Sequence, residues 1–342
     1  MGSGMGKFLK ITGSLILIGI IGAVAWFLAW AWAPNSDPGE MTTRYGAPPS
    51  QFVSLDGGIR MHYRDQGSYE APALVLLHGS NSSLHTWEPW VARLKDRYRI
   101  ITLDLPGHGL TGATLARDYT YSGMADAVDA LLVRLGINKA AIAGNSMGGA
   151  VAITYALQHP DKVSALVLVD SAGVAAPPGA RKTDRPLAFE LAAKPWAQVL
   201  LQNLTPKSLV REGLLKSVYD PEFVTKEMVE RYWDLARYPG NREATGLRFA
   251  WYAANMDKSL PVERLEMPTL ILWGEEDRLI PVETASLLNQ KIDGSGVIIY
   301  PETGHLPMEE RADETAAATG VFLDQITSAL AESRHDLDVG RP

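Results

Sequence analysis

The chain has 342 residues, 46% of them apolar and 21% charged, with a formal net charge of −7. That profile fits a globular protein of one large domain with an insertion, or of two modest domains, and without a basic stripe it offers no nucleic-acid footprint. It contains no cysteine, which excludes disulfides, thiolate catalysis and cysteine-ligated metals.

The sharpest compositional break is at the N-terminus. Lys7 and Lys10 precede an uncharged apolar run from Ile11 to Ala33. As a helix this run reaches roughly 34 Å at ~1.5 Å per residue, enough to cross a ~30 Å hydrocarbon core. Trp26, Trp30 and Trp32 crowd its far end, where amphipathic rings favour the membrane interface. Lysines lie before the run and Asp37 and Glu40 follow it. The positive-inside bias therefore puts the N-terminus in the cytoplasm and the main domain across the membrane, in the periplasm of a Gram-negative cell. Ala31-Trp32-Ala33 also offers a small-x-small cleavage site, and the competing reading is a removable signal peptide and a secreted product. The run is longer than the ~7–15 residues of a signal core, so residues 1–33 are expected to be an uncleaved single-pass anchor. Residues 34–50, rich in Pro, Gly and polar side chains, read as a linker.

From Gln51 the text becomes strand-like. Gln51–Leu55 and Ile59–Tyr63 flank Asp56-Gly57-Gly58, a turn that tolerates positive φ. Ala73–Leu77 and Ala165–Val169 are short apolar runs of the kind buried on both sheet faces, and Arg99–Leu103 is a further strand between them. Between them, Trp87–Arg97 and Tyr121–Leu135 read as helices, the second closing at Gly136, and a further helix runs to about His159 before Pro160. This alternation implies an α/β fold with a mostly parallel sheet between helices. It breaks after Ser171. From about Gly173 to Asp257 the text is helical and aromatic-rich, without a comparable strand. The strand pattern resumes at Pro268–Trp273 and Val297–Tyr300, and a last helix spans about Asp313–Leu330. The expected organisation is a core over 51–172 and 258–331, a helical cap over 173–257, and a solvated tail over 332–342.

The chemistry lies in three loops. Gly144-Asn145-Ser146-Met147-Gly148 is a Gly-x-Ser-x-Gly segment between a strand and a helix. That pattern holds a serine on a strained turn at a helix N-terminus, and the residues two before and two after it must be small. The Met147 amide is then placed to hold an oxyanion. A serine hydroxyl needs a base, and the base needs a carboxylate to orient it. Asp277, in the loop past Trp273, is the favoured carboxylate; Glu275, Glu276 and Asp170 are its rivals. His305, after the last strand and between Gly304 and Pro307, is the favoured base among seven histidines. The second oxyanion amide is assigned to Ser80, in His78-Gly79-Ser80-Asn81. His78 is expected to brace that loop by hydrogen bonding. A metal reading of His78, Asp104 and His108 lacks ligand spacing, and neither metal nor cofactor is implied.

Five blocks in this order resemble the α/β-hydrolase fold superfamily over about 51–330: His78-Gly79, Asp104-x-Pro-Gly-x-Gly109, Gly-Asn-Ser146-Met-Gly-Gly, Pro-Thr-Leu-Ile-Leu-Trp-Gly-x-x-Asp277 and Gly-His305-x-Pro-x-x-Glu310. With the N-terminal anchor they are similar to membrane-anchored monoacylglycerol lipases and to the bacterial lipase and esterase group V. The resemblance implies hydrolysis of carboxylic esters, often acylglycerols, with nucleophile Ser146, acid Asp277, base His305 and oxyanion amides at Ser80 and Met147. Dehalogenases and epoxide hydrolases of this fold carry an aspartate in place of Ser146, which disfavours their chemistry here. Hydrolases of carbon–carbon bonds in ring-cleavage products share Gly-Asn-Ser-Met-Gly-Gly but usually carry Gly-Pro-Gly after the His-Gly, where this chain has Asn-Ser-Ser; they are the runner-up. Cofactor-free perhydrolases and haloperoxidases share the triad too. A non-catalytic receptor on the same fold is disfavoured, because such proteins often lose triad members and all three are present. The implied partners are a small-molecule or lipid ester and the membrane.

Overall fold

The computed structural model describes residues 2–184, 186–192, 194–255 and 258–339. Eight strands form one sheet: β1 (Ser50–Leu55), β2 (Ile59–Gln66), β3 (Ala73–Leu77), β4 (Arg99–Leu103), β5 (Ala140–Asn145), β6 (Val163–Val169), β7 (Thr269–Gly274) and β8 (Gly296–Tyr300). Their spatial order is β1-β2-β4-β3-β5-β6-β7-β8. The pairings of β1 with β2 and β2 with β4 are antiparallel, and all later pairings are parallel. The first hairpin turns where Gly57 and Gly58 take φ of 74° and 72°, a conformation that glycine adopts without a Cβ penalty.

The apolar runs become central strands because both faces are covered. On β3, Val75 and Leu77 enter one buried cluster and Leu74 and Leu76 the other, as the two-residue period of a strand requires. The first cluster is closed by α4 (Tyr121–Arg134), α5 (Met147–Gln158) and α11 (Glu283–Lys291), and the second by α3 (Glu88–Leu94) and α13 (Ala312–Val339). Residues 332–339, read as tail, continue α13; 340–342 lie outside the described residues. At the far edge, Val297, Ile298 and Ile299 of β8 are partly exposed.

Among the described residues, five α-helices separate β6 from β7: α6 (Leu187–Ala192), α7 (Pro195–Leu201), α8 (Lys207–Ser217), α9 (Lys226–Ala236) and α10 (Asn241–Ala253). The His305 amide donates to the Ser217 carbonyl (2.8 Å), so the end of α8 sits over the loop after β8.

The N-terminal helix α1 (Gly2–Ala31) contains a span, Ile11–Ala31, long and apolar enough to cross a membrane, and its hydropathic window is 0% buried. Residues 34–50, read as a linker, are instead an ordered strap. Asp37 caps α2 (Pro38–Tyr45) by accepting the Glu40 amide, and Met41 of this helix is buried with Leu110 and Leu235. The strap is tied to α9 through Asp234, a buried carboxylate that accepts from Arg44 (2.7 Å), Tyr45 (2.9 Å) and Arg237 (3.1 Å). The Ala33 amide donates to Asn203 (2.7 Å) and the Ser36 amide to Arg237 (3.0 Å). The composition suggested a linker because Pro, Gly and Ser are frequent in such segments. The partners that order it lie about two hundred residues away in the chain.

Candidate active site

Ser146 sits at the carboxyl end of β5 as the N-cap of α5, with φ 52° and ψ −119°. Positive φ in a residue with a Cβ is a strained state that the surroundings must enforce. Here the Ser146 amide donates to the Val169 carbonyl, and its own carbonyl accepts from Gly149 and Ala172 (3.0 Å each). The flanking glycines are sterically required. A Cβ on Gly144 would overlap the Gly148 carbonyl, and one on Gly148 would overlap the Leu77 carbonyl.

The loop after β3 approaches the same point. A Cβ on Gly79 would lie 2.8 Å from Asn145 Oδ1 and 3.2 Å from the Ser146 Cβ. This closeness sets Ser80 next to the elbow, and its hydroxyl contacts Met147 Sδ at 3.4 Å. Neither the Ser80 nor the Met147 amide has a backbone acceptor among the described residues. His78 braces the loop through both ring nitrogens. Nδ1 lies 2.8 Å from the Gly79 carbonyl, and Nε2 accepts the Leu105 amide at 3.0 Å. Complete burial lowers its pKa, which suits the neutral tautomer that this pattern needs.

Asp104 does not join His78 and His108 in a ligand set. It is fully buried, accepts the Leu84 and Leu110 amides (2.8 and 2.7 Å), and lies 2.6 Å from His62 Nδ1. Burial opposes its ionisation, but the His62 charge and hydrogen bond outweigh burial and hold the carboxyl well below the usual range.

Asp277 and His305 are brought together from the loops after β7 and β8. His305 Nδ1 lies 2.7 Å from Asp277 Oδ2, and both residues are buried. Asp277 Oδ1 accepts the Leu279 and Ile280 amides at 2.7 and 3.1 Å, so with His305 three of the carboxylate's roughly four acceptor directions are taken. Glu275 and Glu276 are not part of this pair; Glu276 meets the exposed Arg181. Asp170, at the end of β6, is the surprise. It is fully buried, its Oδ1 accepts the Gly274 amide (3.0 Å), and its Oδ2 has no partner. Burial, then the Asp277 charge, raises its pKa well above the carboxylate range, which favours its neutral form. Asp170, Asp277 and His305 each place one potential ligand atom within 4.8 Å of the others. As a donor set for a cation this group is poor, since Asp277 and His305 already hydrogen-bond each other and Asp277 also accepts two backbone amides.

Ser146 and His305 line one cavity of about 160 Å³ walled in part by α6 and α10, with Ser80, Met147, Phe249 and Trp251. A second cavity of about 140 Å³ shares Ser80 and Phe189 with it and continues between the helices to Thr205 and Arg242. Arg242 donates to Asn35 (2.8 Å) and contacts the Ala33 carbonyl, at the end of the apolar helix. Two positioning contacts have weak signals in the sequence. Asn145 Nδ2 donates to the His305 carbonyl (3.1 Å), and Glu310 accepts the Gly304 and Tyr219 amides (2.9 and 2.7 Å). Both residues fall inside the quoted motifs. Arg248 of α10 also lines the Ser146 cavity, and nothing in the sequence marked it.

Comparison with known proteins agrees with this architecture. Residues 72–312 match the family model described as alpha/beta hydrolase fold. The chain is similar to Lipase 1 of Psychrobacter immobilis, 27% identical over 283 residues, covering 77% of this chain and 80% of that protein. It is also similar to 2-hydroxy-6-oxo-6-phenylhexa-2,4-dienoate hydrolase of Burkholderia cepacia, 28% identical over 304 residues, covering 83% of this chain and 99% of that one. Among solved structures, a membrane phospholipase A described as a bacterial virulence factor superimposes with a TM-score of 0.69 at 25% identity, over 94% of this chain and 99% of that one.

Proposed function

The chain belongs to the alpha/beta hydrolase fold family, and from that membership we propose that it is a serine carboxylic-ester hydrolase tethered to a membrane. The observation that carries this reading is the hydrogen-bonded His305–Asp277 pair opening on the same apolar-walled cavity as a strained serine elbow.

In this reading Asp277 fixes the tautomer of His305 that keeps Nδ1–H, leaving Nε2 to take the Ser146 proton as the hydroxyl attacks the ester carbonyl. The Ser80 and Met147 amides hold the tetrahedral oxyanion, each donor worth roughly 10²–10³ in turnover. His305 then protonates the leaving alcohol, and water releases the acid from the acyl-enzyme by the same route. The cavity that runs between the helices receives the acyl chain. The apolar N-terminal helix, retained as an anchor with the catalytic domain on the non-cytoplasmic side, keeps the site beside lipid. The likeness to a lipase and to a membrane phospholipase supports an acyl substrate at a membrane.

A fluorophosphonate probe tests the nucleophile. Labelling of the wild type and not of Ser146→Ala is expected; equal labelling of both removes Ser146 from the mechanism. Carbon–carbon hydrolysis is the second reading, favoured by the likeness to the dienoate hydrolase along nearly its whole length. Turnover of a vinylogous diketone, without turnover of p-nitrophenyl esters or monoacylglycerols, would replace the ester reading with it.

A further inference from the structure

Arg248 is only 3% exposed, yet no carboxylate pairs with it among the described residues. Its Nη2 donates to Asn81 Oδ1 (2.8 Å) and Thr245 Oγ1 (3.2 Å), while Nε and Nη1 are buried without a partner. The other buried guanidinium, Arg237, differs: it meets the carboxylate of Asp234 and the carbonyl of Pro34. Burial lowers Arg248 to about 9, which leaves it charged at neutral pH. A buried cation with no counter-charge is unfavourable, and an opposite charge with hydrogen-bond acceptors is what relieves it. Arg248 also lines the cavity that contains Ser146 and His305, among aromatic walls that include Tyr121 and Phe249. The planar fork of a guanidinium matches the two oxygens of a carboxylate or phosphate, and two of its nitrogens lack a hydrogen-bond partner.

We propose that Arg248 is an anion-recognising group of the substrate cavity, and that the ester taken by this site carries a carboxylate or phosphate within its reach. This deepens the ester-hydrolase reading and rests on it. The bond to Asn81, one residue after Ser80, gives Arg248 a second effect. An anion on the guanidinium bears on the residue that adjoins the proposed oxyanion amide. The clamp on Asn81 uses Nη2 alone; the anion site uses the nitrogens that the clamp leaves over.

Two matched substrate pairs separate the sources of charge. 4-Nitrophenyl hydrogen adipate against 4-nitrophenyl hexanoate places a carboxylate on the acyl side. 1-Lauroylglycerol 3-phosphate against 1-lauroylglycerol places a phosphate on the alcohol side. In the full-length protein in detergent micelles, at least one pair is expected to favour the anionic member by tenfold or more in kcat/KM. Arg248→Met should erase that ratio, and Arg248→Lys should keep part of it. An unchanged ratio in Arg248→Met, or no preference in the wild type, reduces Arg248 to a clamp on Asn81 and overturns the proposal. Calorimetric titration of Ser146→Ala protein with the same four compounds reads the anion site without turnover. Tighter binding of an anionic member, lost when Arg248→Met is added, sustains the proposal even if the ester reading fails. Equal binding of both members of each pair ends it.

Discussion

Ser146 holds a backbone conformation, φ 52° and ψ −119°, that glycine enters freely and serine does not. Comparing Ser146→Gly with Ser146→Ala isolates that strain, because both variants lose the hydroxyl and only alanine retains a Cβ. Strain of this kind costs about 1–3 kcal/mol. Glycine gives back about 0.5–1 kcal/mol through the greater freedom of its unfolded chain. The glycine variant should therefore be more stable than the alanine variant by up to about 2.5 kcal/mol, with about 1 kcal/mol at mid-range. Urea unfolding in detergent micelles, followed by tryptophan fluorescence, should show its midpoint at higher denaturant with an unchanged slope. Both variants should be inactive. A glycine variant less stable than alanine would mean that the backbone bonds at Ser146 hold no strained conformation, and the mechanical explanation of the elbow would fail.

The two carboxyls at the site should behave oppositely. Asp277→Asn, which removes the charge beside His305 Nδ1, is expected to lower kcat by roughly 10⁴-fold, whereas Asp170→Asn alters a carboxyl that burial biases towards its neutral form and should change kcat by less than about tenfold; steady-state ester hydrolysis checks both. Breaking the buried cluster with Asp234→Ala leaves the guanidinium of Arg237 without its carboxylate and should destabilise the protein by about 3–5 kcal/mol, with new proteolytic cleavage within residues 34–50 as the readout. Burial raises Glu309 from 4.5 to about 7, against the hydrogen bond from Thr86. The folded state thus holds a proton that the unfolded state releases, and stability should fall as pH rises from about 4.5 through about 7, by at most about 3 kcal/mol. Glu309→Gln should flatten that stretch of the stability–pH curve measured by urea unfolding.

Much of the core was legible because its strands are short apolar runs. The run at 73–77 coincides with β3, since a strand covered on both faces takes apolar residues along its length, and the strand read at 99–103 coincides with β4. The elbow was legible for a steric reason: Gly144 and Gly148 have no room for a Cβ. His305 and Asp277 were readable by their place after successive strands, and they do meet. What escaped depends on contacts between distant segments. The strap around α2 gains its order from Asp234 and Arg237, and no local pattern in 34–50 announces them. Asp170 was readable as a rival to Asp277; that the two lie side by side, with the pKa of Asp170 raised, follows only from their shared burial. Arg248 sits on an ordinary helical stretch, and only the packing of α10 over the cavity turns it inward.

The account turns on an acyl group passing through Ser146. Acid quenching of a reaction with a 4-nitrophenyl ester, followed by peptide mass analysis, measures this directly. The expected result is an adduct of the acyl mass on the peptide carrying Ser146, abundant in the wild type and absent from Ser146→Ala. Wild-type turnover by Ser146→Ala, or an acyl adduct on another residue, would contradict it.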